Sequence, residues 1–299
     1  MPINIGYFAD GRWAQNALEL FIHDPGISVQ FLVPRYRHGD ELLIKMATRV
    51  GIPVISCPNI NAPDFLKTLG RYGCDLFVSM SFDQIFRREI INLPPLKTIN
   101  CHAGKLPFYR GRNVLNWVLI NDETEFGITV HFVDEGIDTG DILVQKSYPI
   151  SDSDNYATLL RQAEIECARL LYEAVKRISS GKWEAKPQSS IHPFGFYCVK
   201  RGEGDEILDW NATSRNIFNF IRAVCPPGPS ARTFLEGTEL RINRALYIPD
   251  APRFKGVPGS VIGRDEESFC VKTRDTHVRV VSWEFEGKIR IGDRLKPYA

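Results

Sequence analysis

The sequence predicts an α/β protein, a doubly wound and mostly parallel sheet followed by a smaller β-rich domain. Three observations carry this. Over the first two thirds, short apolar runs alternate with stretches of helical period, the pattern of βαβ units. From about residue 206 the pattern changes to short β-rich segments separated by turn residues. Between them lies a polar stretch holding Pro187, Pro193, Gly195, Gly202 and Gly204, residues that interrupt helices and strands alike.

The elements follow in order. "INIGYFA" (3–9) reads as a strand leading to the helical "WAQNALELFI", and "ISVQFLV" (27–33) leads to "DELLIKMATRV". "PVISC" reads as a further strand before "APDFLKTLGRYG", and "DLFVSM" (75–80) and "KTINCH" (97–102) as two more. After residue 102, "NVLNWVLIN" has helical period, and "GITVHFVDEGIDTGDILVQKSYPI" reads as two strands around a Gly- and Asp-rich turn. A long helix runs from about Tyr156 to Ile178, where Ser179, Ser180 and Gly181 break its period. The expected divisions are a first domain over 1–188, a linker over 189–205 and a second domain over 206–299. In the last, the helix "SRNIFNFIRAV" and the stop signal "PPGPS" precede four or five short β segments, whose spacing fits an OB-like barrel.

Composition excludes several classes. Lys+Arg number 37 against Asp+Glu 36 in 299 residues, so no global basic field exists of the kind that nonspecific nucleic-acid binding needs. The seven cysteines are odd in number, scattered and never in a C-x-x-C pair, which argues against a disulfide framework or zinc knuckle and for a reducing compartment. The opening "MPINIGYFADGRWAQ" lacks the charged-then-apolar pattern of a secretory leader, and no apolar run approaches the ~18 residues of a membrane span. The expectation is a cytoplasmic protein without a membrane partner.

In a doubly wound fold, ligands bind beyond the carboxyl ends of the strands. The first such loop, "ADGRWAQ", has one glycine where a dinucleotide site has G-x-G-x-x-G, which argues against a nicotinamide-linked oxidoreductase. Asp10 is expected to cap the following helix, and backbone donors there could also meet a phosphate. The strand ending at His102 carries more chemistry. Asn100 and His102 alternate onto one face and point toward one cleft. A neutral imidazole accepts a proton near pH 7, and a carboxamide donates to a developing oxyanion. The turn "VDEGIDTGDI" supplies Asp134, Asp138 and Asp141, and Gly136 and Gly140 allow one of them to fold back over the strand ends. An aspartate beside an imidazole holds its tautomer and stabilises the imidazolium. Such a set suits attack by an amine on a carbonyl. The same residues also fit strand-end positions satisfied by backbone, with Asp134 and Asp141 capping turns.

The stretch "INCHAGKLPFYRGRNVLNWVLINDETEFGITVHFVDEGIDTGDILVQ" (99–145) resembles the formyl-tetrahydrofolate-dependent formyltransferases. Their signature is N-x-H followed by a Leu-Pro loop, R-G, E-T-x-x-G-x-T and D-x-G-x-D-T-G-D. The resemblance implies transfer of a formyl group from formyl-tetrahydrofolate to a primary amine, without a metal, by a catalytic trio of Asn100, His102 and Asp138. It also implies that the pterin lies against Ser81, Phe82, Asp83, Gln84 and Ile85, closed on its other side by Asp134, Glu135, Gly136 and Ile137. Many relatives read Gly-Ser-Leu-Leu-Pro after the histidine, whereas this chain reads Ala103-Gly104-Lys105-Leu106-Pro107.

Among family members, methionyl-tRNA formyltransferases carry an inserted basic loop after the second strand. Here "FLVPRYRHGDELLIKMATRVGIPV" passes directly to the next helix. From Glu206 onward the chain holds 15 Lys/Arg against 12 Asp/Glu, a net +3 and a weak field for gripping tRNA. The resemblance is strongest to the sugar-nucleotide N-formyltransferases, in particular the formyltransferase domain of the bifunctional enzyme acting on UDP-aminoarabinose. The implied acceptor is then a nucleotide-linked aminosugar of surface polysaccharide or lipopolysaccharide synthesis, with no nucleic-acid partner. Arg110, Arg112 and Arg201 are candidates for its diphosphate and Trp13 for its nucleotide, although each arginine also fits a solvated position or an ion pair with "DETE". A methionyl-tRNA formyltransferase and a non-catalytic folate- or nucleotide-binding module are the alternatives. A homodimer is compatible with the resemblance.

Overall fold

A computed structural model describes residues 1–298. In chain order its elements are β1 (Ile3–Ala9), α1 (Gly11–Ile22), β2 (Ile27–Val33), α2 (Glu41–Arg49), α3 (Pro63–Gly70), β3 (Leu76–Met80), α4 (Arg88–Ile91), β4 (Thr98–His102) and β5 (Arg110–Gly111). There follow α5 (Val114–Ile120), β6 (Glu125–Phe132), β7 (Ile142–Pro149), α6 (Tyr156–Ser179) and β8 (Tyr197–Cys198). The last are α7 (Ser214–Val224), β9 (Ala231–Leu235), β10 (Thr238–Leu246), β11 (Val261–Arg264), β12 (Phe269–Lys272) and β13 (His277–Glu284). The chain forms two compact units.

The first unit comprises Met1–Gly111, Phe126–Tyr148 and Arg161–Cys198. Its sheet has the order β2-β1-β3-β4-β6-β7. β1 pairs in parallel with β2 and β3, β3 in parallel with β4, and β4 antiparallel with β6. Sequence order reverses at β1, whose neighbours β2 and β3 lie on opposite sides. β1 and β3 are apolar on both faces because helices cover both. On one side Phe8, Phe31, Phe77 and Phe86 form an edge-to-face cluster, with Phe8 centroids 5.7, 5.2 and 5.1 Å from the other three. Each such buried side chain contributes roughly 1.5–3 kcal/mol of hydrophobic stabilisation.

Two local expectations are corrected here. "PVISC" is not a strand: among the described residues it pairs with the sheet through an isolated parallel bridge from Leu32 to Val54. β2 is the edge strand of the sheet, and the segment meets it through Leu32 N–H to Pro53 O and Ile55 N–H to Leu32 O. Asp10 stands at the start of α1 but its side chain caps nothing there. Its Oδ1 instead accepts the Asp40 N–H at 2.8 Å, and Arg35 Nε stands 3.6 Å from Oδ2.

The second unit comprises Arg112–Glu125, Pro149–Leu160 and the chain from Val199. α7 follows from its apolar positions Ile217, Phe218, Ile221 and Val224, and Thr213 caps it by accepting the Asn216 N–H at 3.2 Å. It packs against α5 and on β10 and β13. The sheet here has the order β11-β12-β13-β10-β9, every ladder antiparallel. No ladder joins β9 to β11 among the described residues, so strand pairing does not close the expected OB-like barrel. The C-terminal tail runs along both edges instead, through single bridges from Phe234 to Lys296 and from Ser260 to Arg294.

Candidate active site

β4 is the last strand of the parallel set and meets β6 antiparallel, with Asn100 opposite His131 and His102 opposite Thr129. Alternation places Asn100 and His102 on one face. Cys101 turns to the other, where its Sγ stands 3.5 Å from the Cys167 carbonyl oxygen on α6. Beyond β4 the loop is pinned to β6. Thr129 Oγ1 donates to Gly104 O at 2.6 Å, and Gln145 Nε2 donates to Leu106 O and Thr129 Oγ1 at 2.9 and 2.8 Å.

His102 Nε2 donates to the Tyr109 carbonyl at 2.7 Å, and its Nδ1 stands 3.5 Å from Asp138 Oδ2. With the Nε2 proton committed to a carbonyl, Nδ1 is the nitrogen free to accept a proton, and a carboxylate waits beside it. Gly104 makes the arrangement possible: a Cβ there would overlap both His102 Nε2 and the Tyr109 oxygen. Gly127 plays a similar part for Lys105, whose stem lies where a Gly127 Cβ would be.

Asp138 adopts a left-handed backbone, φ +54°, which an aspartate tolerates better than most residues. Its Oδ2 accepts the Gly111 N–H at 2.9 Å, and its Oδ1 stands 3.5 Å from His131 Nε2. Burial by itself would raise this carboxyl. The adjacent His102 and His131 rings, which favour the carboxylate when protonated, the bond from His131 and the Gly111 N–H outweigh it and hold the group far below the usual carboxylate range. Asp138 is therefore ionised. Of the other two carboxylates in the turn, Asp134 accepts from Gly136 N–H and Thr139 Oγ1 at 3.0 and 2.5 Å, and Asp141 is exposed.

His131 is the residue that the sequence reading passed over. It is 2 % exposed, its Nδ1 donates to Phe132 O at 2.7 Å, and Asn100 Nδ2 stands 3.4 Å from its Nε2. Its only signal was its place in "GITVHF", two positions from the Thr129 that pairs with His102.

The other candidates divide between the units. In the first, Phe82 leans on the aromatic core, 5.7 Å from Phe8, while Ile85 and Ile137 are exposed. Gln84 spends its side chain on Ile60 N and Cys57 O, both at 3.0 Å. Ser81 has φ +55° and accepts Arg35 on its carbonyl and hydroxyl. Asp83, Glu135 and Gly136 are exposed, and Trp13 is half-buried in the first turn of α1. Arg110 donates to Gln188 Oε1 and lies over the Tyr197 ring. Arg112 and Arg201 fall in the second unit, where Arg112 is exposed. Arg201 bonds the Asp205 carbonyl and lies over the Trp117 and Phe220 rings. Among the described residues, no group of three or more His, Cys, Asp or Glu side chains could hold a metal ion.

Comparison with known proteins bears on this geometry. The sequence model of the formyl transferase family matches residues 55–175, and that of the formyl transferase C-terminal domain matches residues 202–293. The methionyl-tRNA formyltransferase of Geotalea uraniireducens is 32% identical over 255 residues, 85% of this chain and 79% of that protein. That of Syntrophus aciditrophicus is 34% identical over 245 residues, 82% and 77% respectively. The chain belongs to the formyl transferase family. It is a folate-dependent formyl transfer enzyme.

Solved structures similar to this formyl transferase include WlaRD, a sugar 3N-formyl transferase in the presence of dTDP and 5-N-formyl-THF. It has 20% identity and a TM-score of 0.69, covering 97% of this chain and 100% of that one. The N-formyltransferase from Helicobacter canadensis, in complex with folinic acid and dTDP-3-aminofucose, has 21% identity and a TM-score of 0.67, covering 94% and 100%. At such identities the likeness speaks for the fold of the formyl transferase alone. No helix among its described residues is long and apolar enough to cross a membrane.

Proposed function

We propose that this formyl transferase carries a formyl group from formyl-tetrahydrofolate to the primary amine of a nucleotide-linked aminosugar, in the cytoplasm, for surface polysaccharide or lipopolysaccharide synthesis. The amine nitrogen attacks the formyl carbon and a tetrahedral oxyanion forms. Asn100 donates to that oxygen. His102 takes the amine proton, and Asp138 stabilises the resulting imidazolium. The bond from formyl carbon to folate nitrogen then breaks, and the proton returns to that nitrogen. Residues 81–85 and 134–137 are the proposed walls for the pterin, offering mainly backbone groups.

The observation that carries the acceptor reading is the short passage from β2 to α2, residues 34–40, without the inserted basic loop expected of a tRNA enzyme. The weak +3 field from residue 206 onward supports it. A second reading, methionyl-tRNA formyltransferase, has its own support in the 32% and 34% identities above. A screen of UDP-, dTDP- and GDP-linked aminosugars against methionyl-tRNA, with formyl-tetrahydrofolate as donor, separates the two. Turnover of at least one aminosugar with none of the tRNA is expected, and the reverse overturns the aminosugar reading.

A further inference from the structure

Gln188 belongs to a stretch that the sequence presents as the edge of a linker, yet it is 4 % exposed. Its Nε2 donates to the carbonyls of Asp138 and Gly140, each at 2.8 Å. Its Oε1 accepts from Arg110 Nε at 3.1 Å and from Arg110 Nη2 at 2.6 Å. Both carboxamide donors and both lone pairs are thus used, and the orientation is unambiguous. A flipped amide would set its NH₂ against the guanidinium and its oxygen against two carbonyls.

Arg110 lies between the two backbone groups that hold the proposed trio, the Tyr109 carbonyl on His102 and the Gly111 N–H on Asp138. Its guanidinium lies over the Tyr197 ring, 5.5 Å from the centroid, in space left open by Gly195, where a Cβ would stand 2.8 Å from Arg110 Cζ. Gln188 takes the Nε–H and one Nη2–H. Among the described residues no carboxylate ion-pairs with Arg110, so its partner fixes its position without cancelling its charge. Nη1 and the remaining Nη2 hydrogen keep the geometry that binds a phosphate oxygen pair.

We propose that Gln188 is a positioning residue with two linked tasks: it ties down the turn carrying Asp138, and it presents Arg110 as an uncancelled cation to a phosphate group of the acceptor. This rests on the reading of the protein as a formyl transferase acting on a phosphate-bearing acceptor. A neutral carboxamide suits both tasks. A glutamate could still accept from Arg110 but would neutralise it, and could donate to neither carbonyl.

The test is steady-state kinetics of Q188E, R110Q and the double variant, using whichever of the aminosugars or methionyl-tRNA turns over in the screen above. R110Q is expected to raise the acceptor KM about 10- to 100-fold, with kcat moving less and the KM for formyl-tetrahydrofolate unchanged. Q188E is expected to raise the acceptor KM comparably and also to lower kcat, through the released Asp138 turn. In the double variant the acceptor KM should rise little beyond that of R110Q, because the charge that glutamate would cancel is already gone. Inhibition by inorganic pyrophosphate, competitive with the acceptor in wild type, should weaken in both single variants. An unchanged acceptor KM in R110Q overturns the inference whether or not Q188E folds, and so does an additive double variant. Turnover of tRNA alone would overturn the aminosugar reading and leave this inference to be decided by the same variants on tRNA.

Discussion

Asn100 Nδ2 stands 3.4 Å from His131 Nε2 across the β4–β6 ladder, and His131 spends its other nitrogen on the Phe132 carbonyl at 2.7 Å. The Nε2 of this imidazole thus stands between the proposed oxyanion donor and Asp138, 3.5 Å from Oδ1. His131→Phe keeps a flat ring but loses all three polar contacts. It should lower kcat about 10-fold or more with little change in either KM, the mark of a residue acting through Asn100 and Asp138. Wild-type kcat in a folded His131→Phe would show that Asn100 is aimed without it.

The proposed trio makes a graded prediction. His102→Asn should cost about 10²–10⁴ in kcat, and Asn100→Ala about 10²–10³. Folate binding, followed by fluorescence titration, should survive in both. Near-normal turnover by His102→Asn would remove the imidazole from the mechanism.

Gly104 offers a steric test that leaves every polar side chain of the site in the sequence. A methyl there overlaps His102 Nε2 and the Tyr109 oxygen, so Gly104→Ala must displace the ring or the loop. Overpacking of this kind costs about 1–3 kcal/mol. Activity should fall at least 100-fold while the melting temperature drops only modestly, because the strain is local. A fully active Gly104→Ala would mean that the His102 to Tyr109 bond is dispensable.

Acid stability tests a site remote from the chemistry. Asp24 accepts from Lys176 Nζ, Tyr172 Oη and the Gly26 N–H, each at 2.7 Å, and these bonds hold its carboxyl at about 2. The folded-state value lies below the unfolded one, so the stabilisation is full above about pH 4 and is lost as pH falls toward 2. Allowing for solvent screening, it amounts to about 1 kcal/mol. Asp24→Asn should melt about 2–4 °C lower at pH 7, and the gap should close at acid pH. A gap that persists unchanged at pH 2 would assign the loss to packing.

Much of the fold was legible because local pattern decides it. α7 spans the segment read from the 3.6-residue period of "SRNIFNFIRAV", and α6 ends where Ser180 and Gly181 interrupt its own. "PVISC" misled because a β-branched apolar run says nothing about whether a partner strand lies on its far side. The barrel misled for a related reason: strand spacing counts strands, whereas closure depends on which edges meet.

The sequence by itself determined the apolar and polar alternation that puts Asn100 and His102 on one face, and the string of residues around them that marks a formyl transferase. The same string singled out Asp138 from Asp134 and Asp141, and only the tertiary structure decided that His131 stands beside both Asn100 and Asp138, and that Gln188 joins Arg110 to the Asp138 turn. The physical reason is separation along the chain. Periodicity reports neighbours within a few residues, whereas these bonds join positions as many as 78 residues apart, whose meeting depends on sheet register and loop course.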